Sequence, residues 1–168
     1  MSTNEIVIAG NPNAGKTSIY NKLTGAAQQV SNYPGVTVEY KSGTMRHEGI
    51  RLTVVDLPGT YSLTAYTQEE LVARNYIVQR KPALIVDVVD ASNLERNLYL
   101  TTQIMEMGIP TVIALNMVDT AERRGYQVDA VNLSRLLGVP VIPTVASRGT
   151  GINELRDACI AIVEGRLN

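Results

Sequence analysis

Residues Gly10-Asn-Pro-Asn-Ala-Gly15-Lys16-Thr17 follow the pattern of a glycine, four residues, then Gly-Lys-Thr. That pattern is suited to holding phosphate. Gly10 and Gly15 let the backbone wrap an anion without Cβ clashes, and the loop amides with the start of a following helix supply positive potential. Lys16 is expected to reach the β- and γ-phosphates, and the Thr17 hydroxyl to ligate Mg²⁺. Asn11, Pro12, Asn13, Ala14 and Ser18 complete the expected cradle. The Asn13 side-chain oxygen lies beside the phosphates and suits a monovalent cation, although the same residue also reads as an Asx turn that stiffens the loop.

A base-reading element is expected at Asn116-Met-Val-Asp119, which follows an apolar run. It resembles the Asn-Lys-x-Asp element of GTPases, with Met117 in place of the lysine. The Asp119 carboxylate can accept from both N1–H and the 2-amino group of guanine. Adenine has neither donor there, so a carboxylate facing it would stay unpaired at a cost of about 1–3 kcal/mol. The Met117 stem can cover one face of the base. Val145-Ala146-Ser147 occupies the place of a third base element, with the Ala146 amide expected to face the guanine carbonyl. A capped turn after a strand is the plainer reading of each base element taken alone.

Asp56-Leu-Pro-Gly59 reads as an Asp-x-x-Gly element: Asp56 would hold Mg²⁺ through water, and the Gly59 amide would meet the γ-phosphate. Upstream, Gly35-Val36-Thr37 places Thr37 to ligate the same ion while γ-phosphate is present. Both contacts lapse on hydrolysis, which is how such loops convert nucleotide state into order. Thr60 follows Gly59, where Ras-type GTPases carry a water-orienting glutamine. Threonine is too short for that role, so electrostatics must do more. A cation at the β–γ bridge is the obvious source, since an arginine finger there is worth about 10³–10⁵ in rate. The expected catalytic set is therefore Asn13, Lys16, Thr37 and Gly59.

The elements that must position these residues follow from periodicity. Short apolar runs at 6–9, 83–89, 111–116 and 139–142 read as buried strands, and 38–47 with 50–56 as an antiparallel pair turning at Glu48-Gly49. Helix-period segments lie at 16–23, 68–79, 95–107, 129–137 and 151–164. This alternation predicts an α/β fold with a mostly parallel sheet, helices on both faces, and ligands beyond the carboxyl ends of the strands. The polar segments 24–33 and 58–67 are expected to be mobile loops.

The chain has 168 residues, a formal net charge of -1 and one cysteine, Cys159. That suits one domain in a reducing compartment, without a basic field for nucleic acid or a disulfide framework. No apolar stretch approaches the ~20 residues of a membrane span, and the first residues lack the basic start of a signal peptide. His47 reads as a solvated turn neighbour, Cys159 as a core residue, and Glu69-Glu70 as support for a helix start. There is no His/Cys/Glu cluster with metal-ligand spacing, so no iron site is expected.

These residues together resemble the G domain of FeoB-type ferrous-iron transporters, from Ile6 to about Leu155. Beyond the shared motifs, the resemblance rests on Gly35-Val-Thr-Val-Glu39, Val55-Asp-Leu-Pro-Gly-Thr-Tyr-Ser-Leu63 and the run from Val89-Asp-Ala-Ser-Asn to Leu100. It implies a Ras-like P-loop GTPase fold, six strands with one antiparallel, flanked by five helices. It also implies slow, K⁺-stimulated GTP hydrolysis with Mg²⁺, with Asn13 and the backbone carbonyls near Ser31 and Tyr33 around the K⁺. One G domain over 1–168 is expected, with switches at about 26–40 and 56–67. In the family such a domain lies at the cytoplasmic face of the inner membrane, followed by helical and transmembrane regions. Neither region is present here, so the chain is expected to be a fragment or a stand-alone relative without autonomous transport. Two other readings remain: a nucleotide-gated module with negligible turnover, and a stand-alone GTPase unconnected to iron.

Overall fold

A computed structural model describes residues 4–26 and 28–167; residue 27, within the expected first switch, and the terminal residues lie outside the described residues. Seven strands form one sheet: β1 (Glu5–Gly10), β2 (Gln29–Asn32), β3 (Glu39–His47), β4 (Ile50–Asp56), β5 (Leu84–Asp90), β6 (Thr111–Asn116) and β7 (Val141–Pro143). Their spatial order is β2-β3-β4-β1-β5-β6-β7. Only β3 runs against the others, pairing antiparallel with both β2 and β4. The helices are α1 (Lys16–Thr24), α2 (Gln68–Arg80), α3 (Leu94–Glu106), α4 (Val118–Arg123), α5 (Ala130–Leu137) and α6 (Ile152–Val163). None of the described helices is long and apolar enough to cross a membrane.

The strand period of two divides the core between the faces. On β1, Ile6 and Ile8 pack with Ile19 and Tyr20 of α1 and Leu155 and Cys159 of α6. Val7 and Ala9 face the other way, against Tyr76 and Ile77 of α2 and Leu100 and Ile104 of α3. Helices therefore cover both faces, as expected. Burial pushes the Cys159 thiol up to about 12, which keeps it an inert core group.

Two elements depart from the sequence reading. β2 is a seventh strand inside the polar segment expected to be a loop. Its four residues, Gln-Val-Ser-Asn, are mostly exposed and carry no alternation, so only pairing with β3 makes them a strand. α4 is a sixth helix, a short turn that opens directly after Met117. At the amino end of β4, the β3–β4 turn docks on α6 through His47 Nε2 and Asp157 Oδ1, 2.6 Å apart.

Asp87, at the centre of β5, is 1% exposed. Thr101 donates to its Oδ2 at 2.5 Å, while Oδ1 has no hydrogen-bond partner among the described residues. Burial pushes this carboxyl up to about 7, and the Thr101 bond only partly opposes that. A carboxyl that holds its proton longer folded than unfolded stabilises the fold most below its unfolded value. That contribution is lost as pH rises through about 7. Asp87→Asn should therefore gain stability relative to the parent as pH rises from about 4 to about 7. Urea unfolding across that range checks this; a difference between the two proteins that does not change with pH would refute it.

A phosphate-binding loop and its base clamp

The loop from Gly10 to Gly15 joins β1 to α1 at the carboxyl end of the sheet. Gly15, at φ 94°, adopts the left-handed conformation, and a Cβ there would fall on Asn116 Nδ2. No other residue type fits both constraints. Asn13 also sits at positive φ, 68°, which asparagine tolerates better than most residues. The Thr60 amide donates to the Gly10 carbonyl at 3.0 Å, which pins the strand-β4 exit against the loop. At Gly59 a Cβ would lie 3.1 Å from Pro12, so the approach there is close.

A cavity of about 590 Å³ opens here. Asn11, Pro12, Asn13, Gly15, Lys16, Thr17 and Ser18 form its floor, Asp56 to Gly59 one wall, Glu39 to Lys41 another, and Met117 the far end. Gly10 and Ala14 are buried just beneath. Inside the cavity Lys16 Nζ pairs with Asp56 Oδ1, and both residues are 8% exposed. A loop of amides, one buried lysine, a hydroxyl at Thr17 and a carboxylate at Asp56 form a set that can hold a polyphosphate with a hard cation. The Lys16–Asp56 pair must open for both to be used.

Asn116 ties the phosphate floor to the base end. Its Nδ2 donates to the Ala14 carbonyl at 3.0 Å. Its Oδ1 accepts from Thr144 Oγ1 at 3.0 Å and from the Ala146 amide at 3.1 Å. The Ala146 amide, expected to face the guanine carbonyl, is hydrogen-bonded to Asn116 in this structure. Met117 is left-handed at φ 60°, and this turns Asp119 into the first turn of α4. The Asp119 carboxylate is half-buried and meets the exposed Arg123 at 3.4 Å. Val145 is buried and Ser147 exposed, in the 3-10 turn before α6.

The first switch is not gathered here. Gly35 and Thr37 are exposed and Val36 is half-buried; none of the three lines the cavity. Ser31 lies in β2 in register with Tyr40, so its backbone belongs to the sheet edge. The Tyr33 amide donates to the Val38 carbonyl at 2.9 Å, and its ring packs on the α2 face. Neither Ser31 nor Tyr33 lines the cavity that Asn13 lines. The second switch is held at its ends. Arg96 of α3 lies 4.4 Å over the Tyr61 ring, and Gln103 Oε1 accepts from the Leu63 amide at 2.6 Å. Glu70 is buried, and its Oε2 accepts from Tyr66 N and Thr64 Oγ1. Thr60 is 4% exposed and does not line the cavity, so its side chain cannot orient water there.

The sequence model of the family described as Ferrous iron transport protein B matches residues 4–159. The Fe(2+) transport protein A/Fe(2+) transporter FeoB fusion protein of Porphyromonas gingivalis is 52% identical over 162 residues, 96% of this chain and 19% of that protein. The Fe(2+) transporter FeoB of Escherichia coli K12 is 50% identical over 155 residues, 90% of this chain and 20% of that protein. The chain thus spans about a fifth of the length of these curated relatives. Among solved structures, the FeoB G-domain from Methanococcus jannaschii superposes with a TM-score of 0.86 at 44% identity, covering 98% of this chain and 99% of that one. The cytosolic domain of the T. maritima FeoB iron transporter in a GDP form gives 0.92 at 38% identity, covering 98% of this chain and 65% of that one. The fold agrees with these likenesses, and the chain belongs to the ferrous iron transport protein B family, as its G domain.

Proposed function

We propose that this domain binds GTP in the 590 Å³ cavity and hydrolyses it slowly, with K⁺ as activator, as the cytoplasmic regulatory part of a ferrous-iron transporter. The observation that carries the reading is one continuous surface from Asn11 to Ser18, Asp56 to Gly59 and Met117, with Asp119 one turn beyond. The T. maritima relative in its GDP form supports the choice of nucleotide. Lys16 would bind the β- and γ-phosphates once it leaves Asp56, and Gly59 would offer its amide to the γ-phosphate. Asp119 would select guanine over adenine.

Thr17 and Asp56 share the cavity and fit Mg²⁺, whereas Thr37 would have to move to join them. Asn13, lining the cavity at a strained φ, fits a monovalent ion, and Ser31 and Tyr33 would join it only after the first switch rearranges. When bound, the two cations would neutralise charge developing on the phosphates. Asn13 and Thr37 would position them, and the buried Thr60 would take no part.

Phosphate release measured in KCl and in NaCl tests the reading. KCl should accelerate turnover at least about tenfold, a fraction of what an arginine finger supplies. Asn13→Ala should remove that acceleration and leave GDP binding unchanged. Absence of turnover in both salts would favour a nucleotide-gated module, which the buried Thr60 keeps as the second reading. Acceleration that survives in Asn13→Ala would place the ion elsewhere.

A further inference from the structure

Far from the nucleotide cavity, three side chains converge that the mechanism does not use. His47 and Glu48 end the β3–β4 hairpin, and Asp157 comes from α6, 110 residues from His47 in the chain. One ligating atom from each lies within 4.8 Å of the other two. His47 Nε2 is 2.6 Å from Asp157 Oδ1 and 4.0 Å from Glu48 Oε1. Asp56 ends the same strand that starts beside this turn, so about 20 Å of β4 separates the two places.

We infer that His47, Glu48 and Asp157 form a binding site for a divalent first-row transition-metal ion. Two ligands at about 2.1 Å from one ion, at angles of 90° to 109°, stand about 3.0–3.4 Å apart. The observed 2.6 and 4.0 Å bracket that spacing and all three atoms lie within 4.8 Å of one another, so side-chain shifts of about 1 Å would convert the trio into ligands. A dication replaces the Nε2 proton and neutralises two carboxylates that otherwise face each other as like charges. One imidazole with two carboxylates suits Mn²⁺, Fe²⁺, Co²⁺ or Zn²⁺ better than the oxygen-seeking Mg²⁺ and Ca²⁺. Glu48 and Asp157 side chains are 66% and 60% exposed, which leaves the remaining coordination positions to water. The nearby Arg156 is spent on the Lys22 carbonyl and Asn153. Glu48 also adopts φ 51°, a left-handed conformation in which a bulky residue is uncommon. Arg46 and Arg51 pair one rung back in the hairpin, where the strand period of two places their side chains on the opposite face from His47.

The chain has a single histidine, so its ring protons give one identifiable pair of NMR signals. The untagged, chelator-stripped chain is titrated with Co²⁺ in excess Mg²⁺, which fills oxygen-only sites, while calorimetry reads affinity. The ring signals should shift and broaden at about one equivalent, as expected for a direct imidazole ligand. His47→Gln should abolish the calorimetric site. Glu48→Gln, at an exposed position that leaves the fold intact, should weaken it about tenfold, since affinity follows ligand charge. Ring signals that stay unmoved at saturation, or equal affinity in Glu48→Gln, would reduce the trio to a hydrogen bond that docks the hairpin on α6.

Discussion

Lys16→Ala is expected to weaken GTP and GDP binding by about 30-fold or more. Truncating one partner of a hydrogen-bonded charge pair in a desolvated site costs about 2–5 kcal/mol, and each 1.4 kcal/mol is a factor of ten. Without nucleotide the same lysine neutralises Asp56, which is 8% exposed. The single variant should therefore also lose stability, by up to about 3 kcal/mol, because it leaves a buried carboxylate unpaired. Adding Asp56→Asn should restore most of that stability and none of the triphosphate affinity. Urea midpoints and binding of a fluorescent nucleotide separate the two effects. Tight triphosphate binding by Lys16→Ala would contradict the assignment of the loop.

The second large effect falls on Asn116. Asn116→Ala removes three buried hydrogen bonds and leaves the Ala14 carbonyl, the Thr144 hydroxyl and the Ala146 amide without that partner. At about 1–3 kcal/mol for each orphaned group, partly relieved by relaxation, the loss should be about 3–5 kcal/mol. That is a large share of the ~5–15 kcal/mol that holds a domain folded. Asp119→Ala makes the contrast. Its carboxylate has one weak, largely exposed partner, so stability should change by no more than about 0.5 kcal/mol. Its preference for GTP over ATP should nevertheless vanish. Thermal melts of the two variants beside competition binding test this; an Asn116→Ala protein that melts like the parent would overturn the clamp.

Much of this was legible in the chain because local chemistry dictated it. Gly15 must adopt positive φ, Lys16 opens a helix after a buried strand, and continuous apolar runs define a parallel sheet. These constraints lie within a few residues of one another. What the sequence left hidden depends on pairing across distance. Gln29 to Asn32 become a strand only because β3 offers an edge. Asn116 reads as a base ligand, but its bonds to Ala14, Thr144 and Ala146 appear only once 102, 28 and 30 residues of separation are closed. His47 and Asp157 carry no linear spacing at all, so the expectation of no metal cluster rested on a signal that could not have shown this one. Thr37, Ser31 and Tyr33 were expected around the cations, a placement that depends on how this segment folds in space, and none of the three lines the cavity.

The outermost strand joins these last residues to the sheet. β2 runs directly into Tyr33, whose amide is bonded to Val38, so the turn carrying Thr37 is the end loop of a hairpin. Thr37 sits between those two bonded residues, exposed and outside the cavity lining. If Thr37 is to reach Mg²⁺ beside a triphosphate, as proposed above, the Tyr33–Val38 bond and the β2–β3 pairing beside it are the contacts that would have to give. On that proposal the width of the sheet, seven strands or six, would follow what the cavity contains, and the change would fall on its outermost edge.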